Sequence, residues 1–184
     1  MTDNIFFDLN KIKKCGKNVI IGKTVRIRYP ELVEIGDNVI IDDFTYISTR
    51  LKLHSNIHIS AGCKIIGGKN AYVEMKEFST LAPNVILSAG SDDYLSGIAT
   101  PMVPFEFKGN AKIGKIILNK HCIVGAGSVV LPDVIFEEGA CLGALSLANR
   151  NLEEYVLYGG IPAKIIKRRL KEEILQLEQK LKNE

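Results

Sequence analysis

The stretch from Ile35 to Ile65 reads IGDNVI-IDDFTY-ISTRLK-LHSNIH-ISAGCK-I, and an apolar residue opens each group of six. The same period recurs elsewhere in the chain, and its seventeen apolar anchors are Cys15, Ile21, Ile27, Ile35, Ile41, Ile47, Leu53, Ile59, Ile65, Met75, Leu81, Leu87, Leu118, Val124, Val130, Phe136 and Leu142. Six is a multiple of the strand period of two and not of the helical period of 3.6. The repeat therefore predicts a series of short β-strands.

A second uncharged position lies four residues after most anchors. It is occupied by small, β-branched or apolar residues, namely Val19, Val25, Val39, Thr45, Leu51, Ile57, Cys63, Ser79, Val85, Cys122, Ser128, Val134, Ala140 and Ser146. Each group of six thus offers one large and one smaller side chain to an interior. Such a unit buries its apolar side only by stacking on its neighbours, which predicts a solenoid.

This repeat resembles the hexapeptide-repeat family over about residues 15–148. The resemblance implies an all-β solenoid, a left-handed parallel β-helix in which three groups of six form one triangular coil. Seventeen anchors would then make nearly six coils, roughly 25–30 Å long. The period breaks between Ile27 and Ile35, between Ile65 and Met75, and between Leu87 and Leu118, always after the same face. Insertions are therefore predicted along one edge of the helix.

The expected organisation is one β-helix domain over residues 1–166 with a loop insertion at about 88–117, followed by a short C-terminal α-helix over 167–184. The helix is indicated by Leu170, Ile174, Leu177 and Leu181, whose spacing of four, three and four is helical. This helix is expected to pack on the β-helix or on a neighbouring subunit.

Composition narrows the function classes. The chain has 184 residues and a net charge of +3, with no apolar run long enough to span a membrane and no signal-peptide pattern, so we expect a cytoplasmic protein. Three of its four cysteines, Cys15, Cys63 and Cys122, occupy predicted interior positions, and no CxxC pair is present, so we expect buried thiols and no metal site. The basic residues crowded into 164–171 have no interleaved aromatic residues, which argues against nucleic acid and favours a phosphate-bearing ligand.

The segment YGGIPAK from Tyr158 to Lys164 resembles the G-x-P-A-K element that closes many hexapeptide-repeat acyltransferases. The resemblance implies acetyl-CoA as co-substrate, with no permanently bound cofactor, and a groove in the late coils that takes the pantetheine arm. Gly125 and Gly143 are eighteen residues apart, as are Ala126 and Ala144, so each pair is expected to stack one coil apart. The predicted coenzyme A-binding residues are Gly125, Ala126, Gly143, Ala144, Pro162, Ala163, Lys164 and Arg168.

The long insertion is expected to carry contacts to the acceptor. Sugar acetyltransferases of the family commonly have a histidine near its start as general base, but residues 89–94 here read AGSDDY. We therefore expect Asp92 or Asp93 to act as the base or to orient one. His58, slightly preferred to His54, lies beside an inward anchor and thus on the outer surface, where it could serve a neighbouring subunit. The predicted catalytic residues are His58, Asp92 and Asp93.

Several alternatives remain open at this point. The acceptor implied by the resemblance is a sugar or nucleotide sugar of surface-polysaccharide synthesis, acylated on an amine or on a hydroxyl; an amine is nucleophilic once neutral and needs less help from a base. A non-catalytic scaffold and a γ-class carbonic anhydrase share the predicted fold. The carbonic anhydrase needs three converging histidines, whereas His121 is expected to lie over three coils from His58, about 15 Å along the axis. A homotrimer is expected because apolar outer positions such as Ile40, Val85 and Ile86 need covering.

Overall fold

The computed structural model describes residues 4–183. Residues 1–3 and 184, which the predicted domain bounds include, lie outside the described residues. Within 4–183 the chain forms a left-handed β-helix of about seven turns followed by one helix, α1 (Lys171–Lys182). The strands are β1 (Lys14–Cys15), β2 (Val19–Ile21), β3 (Arg26–Ile27), β4 (Val33–Ile35), β5 (Val39–Ile41), β6 (Tyr46–Leu53), β7 (Ile57–Ile59), β8 (Lys64–Met75), β9 (Thr80–Leu81), β10 (Ile86–Ser88), β11 (Gly90–Ser91), β12 (Lys112–Ile113), β13 (Lys115–Leu118), β14 (Ile123–Val124), β15 (Val129–Val130), β16 (Ile135–Phe136), β17 (Cys141–Leu142), β18 (Leu147–Ala148), β19 (Val156–Gly159) and β20 (Lys164–Arg168). Short 3-10 turns occupy Leu9–Lys11, Pro30–Leu32 and Phe105–Phe107.

Parallel pairing arranges these strands into three faces. The first face stacks β1, β4, the end of β6, the end of β8, β13 and β16. The second stacks β2, β5, β7, β9, β14, β17 and β19, with β20 added at its edge. The third stacks β3, the start of β6, the start of β8, β10, β15 and β18. The predicted fold class is thus confirmed, with one anchor residue per rung.

The anchors and the residues four positions after them form the interior. Every predicted anchor is buried except Cys15, which is half-buried and, like Phe7 and Leu9, packs against the core. Placing Val85 on the outer surface was wrong: it is fully buried, as its position four after Leu81 requires. Ile86 is half-buried, and Ile40 is exposed.

The β-helix is one turn longer than the nearly six coils expected from the anchors. Leu152 bridges to Phe136 on the first face, and Tyr158 pairs with Leu142 on the second. Leu152 comes four positions after Ala148 instead of six. The last turn therefore departs from the period of six, and counting anchors at that period misses it. The extra turn carries the chain to the YGGIPAK segment.

All insertions leave the β-helix between the third and first faces, as predicted, and this edge is called the loop corner below. The residues inserted at this edge are 28–32, residues 67–71, which form an irregularity inside β8, and the long loop between β10 and β13. The edge between the first and second faces, called the asparagine corner, has no insertion. Its residues take left-handed backbone conformations, and they are Asn18, Asn38, Asn56, Phe78, His121, Gly139 and Tyr155.

The C-terminal segment turns back on the coils instead of extending away from them. Strand β20 pairs antiparallel with β19, so the predicted helix begins at Lys171 and not at 167. Glu178 anchors α1: its carboxylate is buried and accepts hydrogen bonds from Lys120 Nζ at 2.7 Å and from His121 Nε2 at 2.7 Å. Arg169 donates to the His121 carbonyl at 2.8 Å. Within residues 4–183 no helix has both the length and the apolar character needed to cross a bilayer.

Candidate active site

Asp93 ties together the two ends of the long loop. Its carboxylate accepts hydrogen bonds from the Ser96 hydroxyl at 2.6 Å and from the backbone nitrogens of Leu95 and Asn110, each at 2.9 Å. The Ser96 hydroxyl, followed by these backbone donors, holds the pKa of Asp93 well below its usual range. A carboxylate so engaged is a weak proton acceptor, and its geometry is that of a loop anchor.

Asp92 is the more available carboxylate of the predicted pair. Half of its side chain is exposed, and its Oδ1 lies 3.9 Å from Lys108 Nζ. Lys108 is itself fixed by the carbonyl of Thr100, to which it donates at 3.0 Å. The antiparallel pair β11–β12 closes the base of the loop directly beneath Asp92. The Asp92 carboxylate is thus exposed at the loop corner, beside the Lys108 ammonium.

His58 lies on the outer side of the second face and is exposed, as predicted. Its Nε2 is 2.8 Å from Asp42 Oδ2, a carboxylate of the preceding coil. Sequence reasoning missed Asp42, although the pairing of β5 with β7 and the mirrored positions of the two residues beside their anchors would have indicated it. In a triangular coil the second face is opposite the loop corner, so one chain does not bring His58 to Asp92.

The other two histidines are also bound to carboxylates. His54 lies between Glu74, at 2.8 Å, and Glu77, at 3.1 Å, while His121 contacts Glu178. The expected separation of His121 and His58 was wrong: the pairings β7–β9–β14 make it about two coils, roughly 10 Å. The separation was overestimated because the residues of the loop insertion add to the sequence distance between His58 and His121 without adding coils. In the part of the chain that the structure describes, no three or more His, Cys, Asp or Glu residues group as metal ligands would.

The glycines of the late coils permit close stacking. A Cβ at Gly125 would clash with the Ala144 nitrogen, and a Cβ at Gly143 would lie 3.2 Å from the Tyr158 carbonyl oxygen. Leu145 N donates to the Ala126 carbonyl at 2.9 Å, so the predicted pairs are stacked. Ala144 is exposed and Ala126 half-buried, which leaves a line of small residues at the corner between the second and third faces.

The GGIPA segment is fastened to the last rung of the third face. Gly160 N donates to Ser146 Oγ at 2.9 Å, and Ala163 N donates to the Leu147 carbonyl at 2.8 Å. Ala163 is buried, whereas Pro162 is exposed. Ala163 therefore holds the segment in place, and Pro162 is the residue of the two that a ligand can reach.

Strand β20 carries the basic residues, and a bulge decides which of them lie together. Lys164 is opposite Gly159, Lys167 is opposite Leu157 and Arg168 is opposite Val156, with the register shift between Leu157 and Tyr158. Residues directly opposite in an antiparallel pair share a side of the sheet. Lys164 therefore shares the outer side with Lys167, whereas Arg168 is opposite Val156 on the other side of the sheet, where it is still exposed. Sequence spacing does not reveal such a bulge.

Comparison with known proteins identifies the family. No protein-family model matches the chain. A curated dTDP-4-amino-4,6-dideoxy-D-glucose acyltransferase of Escherichia coli is 38% identical over 172 residues, which cover 90% of this chain and 86% of the relative. The crystal structure of AntD, an N-acyltransferase from Bacillus cereus in complex with dTDP and 3-hydroxybutyryl-CoA, superposes with a TM-score of 0.89 at 34% identity, covering 98% of both chains. A variant of AntD has been solved with dTDP-4-amino-4,6-dideoxyglucose and coenzyme A, with the same TM-score.

These likenesses extend over nearly the whole chain and include the coils, the long loop and the closing segment. The chain belongs to the hexapeptide-repeat family of sugar acyltransferases and is a coenzyme A-dependent enzyme.

Proposed function

We propose that this enzyme transfers the acetyl group of acetyl-CoA to the amine of a nucleotide-linked amino sugar used in surface-polysaccharide synthesis. The dTDP-linked 4-amino-4,6-dideoxyglucose named for its E. coli relative and bound by the AntD variant is the favoured acceptor. The observation that favours an amine acceptor over a hydroxyl acceptor is the sequence of the long loop. It has a carboxylate where sugar O-acetyltransferases of the family commonly have a histidine. A neutral amine attacks a thioester without prior deprotonation.

In the proposed reaction the amine nitrogen attacks the thioester carbonyl and the carbon–sulfur bond breaks. The amide forms as one proton is removed from the amine nitrogen, and this proton finally reaches the departing thiolate, so that coenzyme A leaves as the thiol. Asp92 is the proposed acceptor of that proton, and Asp93 positions it by holding the loop. His58, paired with Asp42, is proposed as a further acid–base group that a neighbouring subunit supplies to the same site.

A homotrimer is proposed, and the positions of these groups support an assembly of more than one copy. Asp92 is at the loop corner and His58 on the opposite face, so a site that uses both needs two copies of the chain. Ile20 and Ile40 on the second face are 50% and 37% exposed, and Phe44 and Leu145 on the adjoining corner are 74% and 73% exposed. Contact with another subunit would bury these groups. Light scattering that gives the mass of one chain, 20.3 kDa, at micromolar concentration would contradict the trimer.

Coenzyme A is proposed to bind along Gly125, Ala126, Gly143 and Ala144, with its phosphates near Lys164 and Lys167. Lys164→Ala should then weaken acetyl-CoA binding by about 1.5–3 kcal/mol, the range for hydrogen bonds to charged groups. Lys180→Ala, on the exposed side of α1, is the matched control and should bind normally. An unchanged affinity in Lys164→Ala would show that the phosphates lie elsewhere. Arg168→Ala is expected to have the smaller effect because of the bulge.

A cytoplasmic location is proposed because Cys15, Cys63, Cys122 and Cys141 are all free thiols. Burial raises the pKa of the Cys63 thiol to about 11 and that of the Cys122 thiol to about 12, so these two behave as packing residues. Unpaired cysteines are the rule in reducing compartments.

A thiol-release assay with acetyl-CoA tests the proposal. The acceptors compared are dTDP-4-amino-4,6-dideoxyglucose, the same sugar without its nucleotide, and the dTDP-sugar with a hydroxyl in place of the amine. Turnover is expected with the first acceptor and not with the third. Turnover with the hydroxyl sugar alone would establish O-acetylation instead, and thiol release with none of the acceptors would show that the enzyme acts on a different acceptor.

A further inference from the structure

A group of cations surrounds a single tyrosine on the loop corner of the first three coils. Tyr29 precedes the Pro30–Leu32 turn, and the Arg28 guanidinium carbon lies 5.5 Å from the centroid of its ring. The Lys69 ammonium comes from two coils further on and lies 5.2 Å from the same centroid. One ring thus holds two cations from different coils within cation–π distance. Arg28, Tyr29 and Lys69 are called the cationic patch below.

The charge of this patch is not neutralised by the protein. Among the ion pairs of residues 4–183, none joins Arg28 or Lys69 to a carboxylate within 4.0 Å. On the neighbouring first face the lysines are paired, Lys13 with Glu34 at 2.6 Å and Lys52 with Glu74 at 3.3 Å. The Tyr46 hydroxyl, which is the largest cause, raises the pKa of Arg28 above its usual value. Glu31 is the nearest acid in sequence and lies in the adjoining turn, in a cavity that Lys13 and Arg50 also line.

The patch and the active-site loop share one corner. A Cβ at Gly90, at the base of the loop, would lie 3.0 Å from the Gly67 carbonyl oxygen, and Lys69 follows two residues later. The pairings Arg26 with Tyr46, Lys64 with Tyr46, and Lys64 with Ile86 order the coils from Tyr29 up to Gly90. The separation is three coils, about 14 Å along the axis. Lys69 is the end of the patch nearest the loop, one coil below Gly90 and about 5 Å away along the axis, so a sugar linked to a diphosphate at Lys69 lies next to the loop.

We propose that the cationic patch binds the diphosphate of the nucleotide-linked acceptor and so directs the amino sugar towards Asp92. The inference rests on the proposed function and extends it, because the likeness to other acyltransferases does not say which residues of this chain hold a nucleotide. Arginine and lysine donors suit phosphate oxygens, and Tyr29 holds both side chains in place before the ligand arrives. A sugar without a nucleotide has no charge for the patch to recognise. The phosphates of coenzyme A are proposed to lie at the far end of the β-helix.

Calorimetric titration with dTDP and with coenzyme A tests the assignment. The variant is Arg28→Gln combined with Lys69→Gln, accompanied by Lys69→Gln alone, and Lys17→Gln is the matched control. Lys17 is exposed in the first coil on the asparagine corner, away from the patch. The double variant should bind dTDP about 10- to 100-fold more weakly for each charge-assisted hydrogen bond that is removed, while its affinity for coenzyme A stays unchanged. The acceptor KM should rise with little change in kcat.

Several results would overturn the assignment. If wild type and double variant bind dTDP equally, the diphosphate lies elsewhere, although the proposed acceptor stands. If the variant loses coenzyme A affinity instead, the patch belongs to the donor. If the wild type binds no dTDP while it acetylates a free sugar, the nucleotide-linked acceptor fails as well. If the double variant does not fold, Lys69→Gln alone decides between these outcomes.

Discussion

The asparagine corner and the loop corner run along the same coils, yet they are built in opposite ways. At the asparagine corner every coil turns through one residue in a left-handed conformation, and Asn18, Asn38 and Asn56 are linked side chain to side chain at 2.9 and 3.1 Å. At the loop corner the spacing between anchors varies from four residues to thirty-one. Within one chain, the Asp92 loop and the cationic patch lie at the loop corner. The comparison teaches that a solenoid can keep its register at one edge while another edge is free to carry chemistry.

The largest expected effect is a loss of turnover when Asp92, at the loop corner, is replaced. Asp92→Asn should lower turnover about 10²- to 10⁴-fold, the range for a positioned acid–base group, because the loop loses its free carboxylate. Its melting temperature and acetyl-CoA affinity should not change, since Asp92 is exposed and outside the donor groove. Steady-state thiol release together with calorimetry provides the measurement. Full activity in this variant would remove Asp92 from the mechanism and leave deprotonation to His58 or to water.

Asp93→Asn should have a smaller effect on turnover and a distinct signature. The amide cannot replace a carboxylate that accepts from the Ser96 hydroxyl and from several backbone nitrogens. We expect faster hydrogen exchange in residues 93–110, with the coils unchanged. Because the pKa of Asp93 is depressed in the folded loop, its contribution is complete above the ordinary aspartate pKa and is lost only at strongly acidic pH. Exchange in the wild-type loop should therefore show no Asp93-linked change between pH 7 and pH 5, and loosening in that range would contradict the anchor.

The asparagine corner should respond in stability and not in turnover. Glu178 anchors α1 at His121 on this corner, and its hydrogen bond from Lys120 is the largest cause that lowers its pKa to about 2. The stabilisation is therefore present above pH 4.3, the ordinary glutamate pKa, and is lost as pH falls towards the folded value. Glu178→Gln should cost about 1.5–3 kcal/mol of helix anchoring at pH 7. Hydrogen exchange in α1, with exposed Glu172→Gln as control, measures it; equal protection in both variants would contradict the account.

The smallest expected effect concerns the ladder itself. Asn38 has φ of 55°, accepts from Asn18 and donates to Asn56. Asn38→Ala should lower stability by about 1–2 kcal/mol, because alanine resists the left-handed region. For a domain of this size each kcal/mol lowers the melting temperature by about 2–4 °C. Asn38→Gly keeps the conformation without the ladder and should lose less. Equal melting temperatures for wild type and both variants would show that Asn38 does not contribute to the stability of the asparagine corner.

The β-helix could be predicted from the sequence because the same physical requirement repeats in every coil. Inward positions must be apolar and corners must turn, so the anchors from Ile21 to Leu142 and the edge of the insertions were predicted correctly. The prediction was wrong where a residue left that repeat. The final turn begins two residues early at Leu152, and the axial position of His121 cannot be counted through an insertion.

The candidate site was harder to predict, because its geometry depends on contacts that do not repeat along the sequence. Asp92 and Asp93 are equivalent as a sequence pair, and only the closure of the loop on Asn110 distinguishes them. The cations around Tyr29 are spread over forty residues of sequence, and the bulge in β20 reverses the side on which Arg168 lies. The predicted roles of His58, Asp92 and the coenzyme A residues stay predictions until they are tested by substitution.

The central claim is that each site takes His58 from one subunit and the Asp92 loop from the next. Co-expression of His58→Asn and Asp92→Asn chains, each of which is expected to have strongly lowered turnover alone, tests it most directly. In a trimer that mixes both chains, one interface combines the intact His58 of one chain with the intact Asp92 of the other, so purified mixed trimers should regain thiol-release activity. Mixed trimers that fold, bind acetyl-CoA and remain as inactive as either parent would contradict a site shared between subunits.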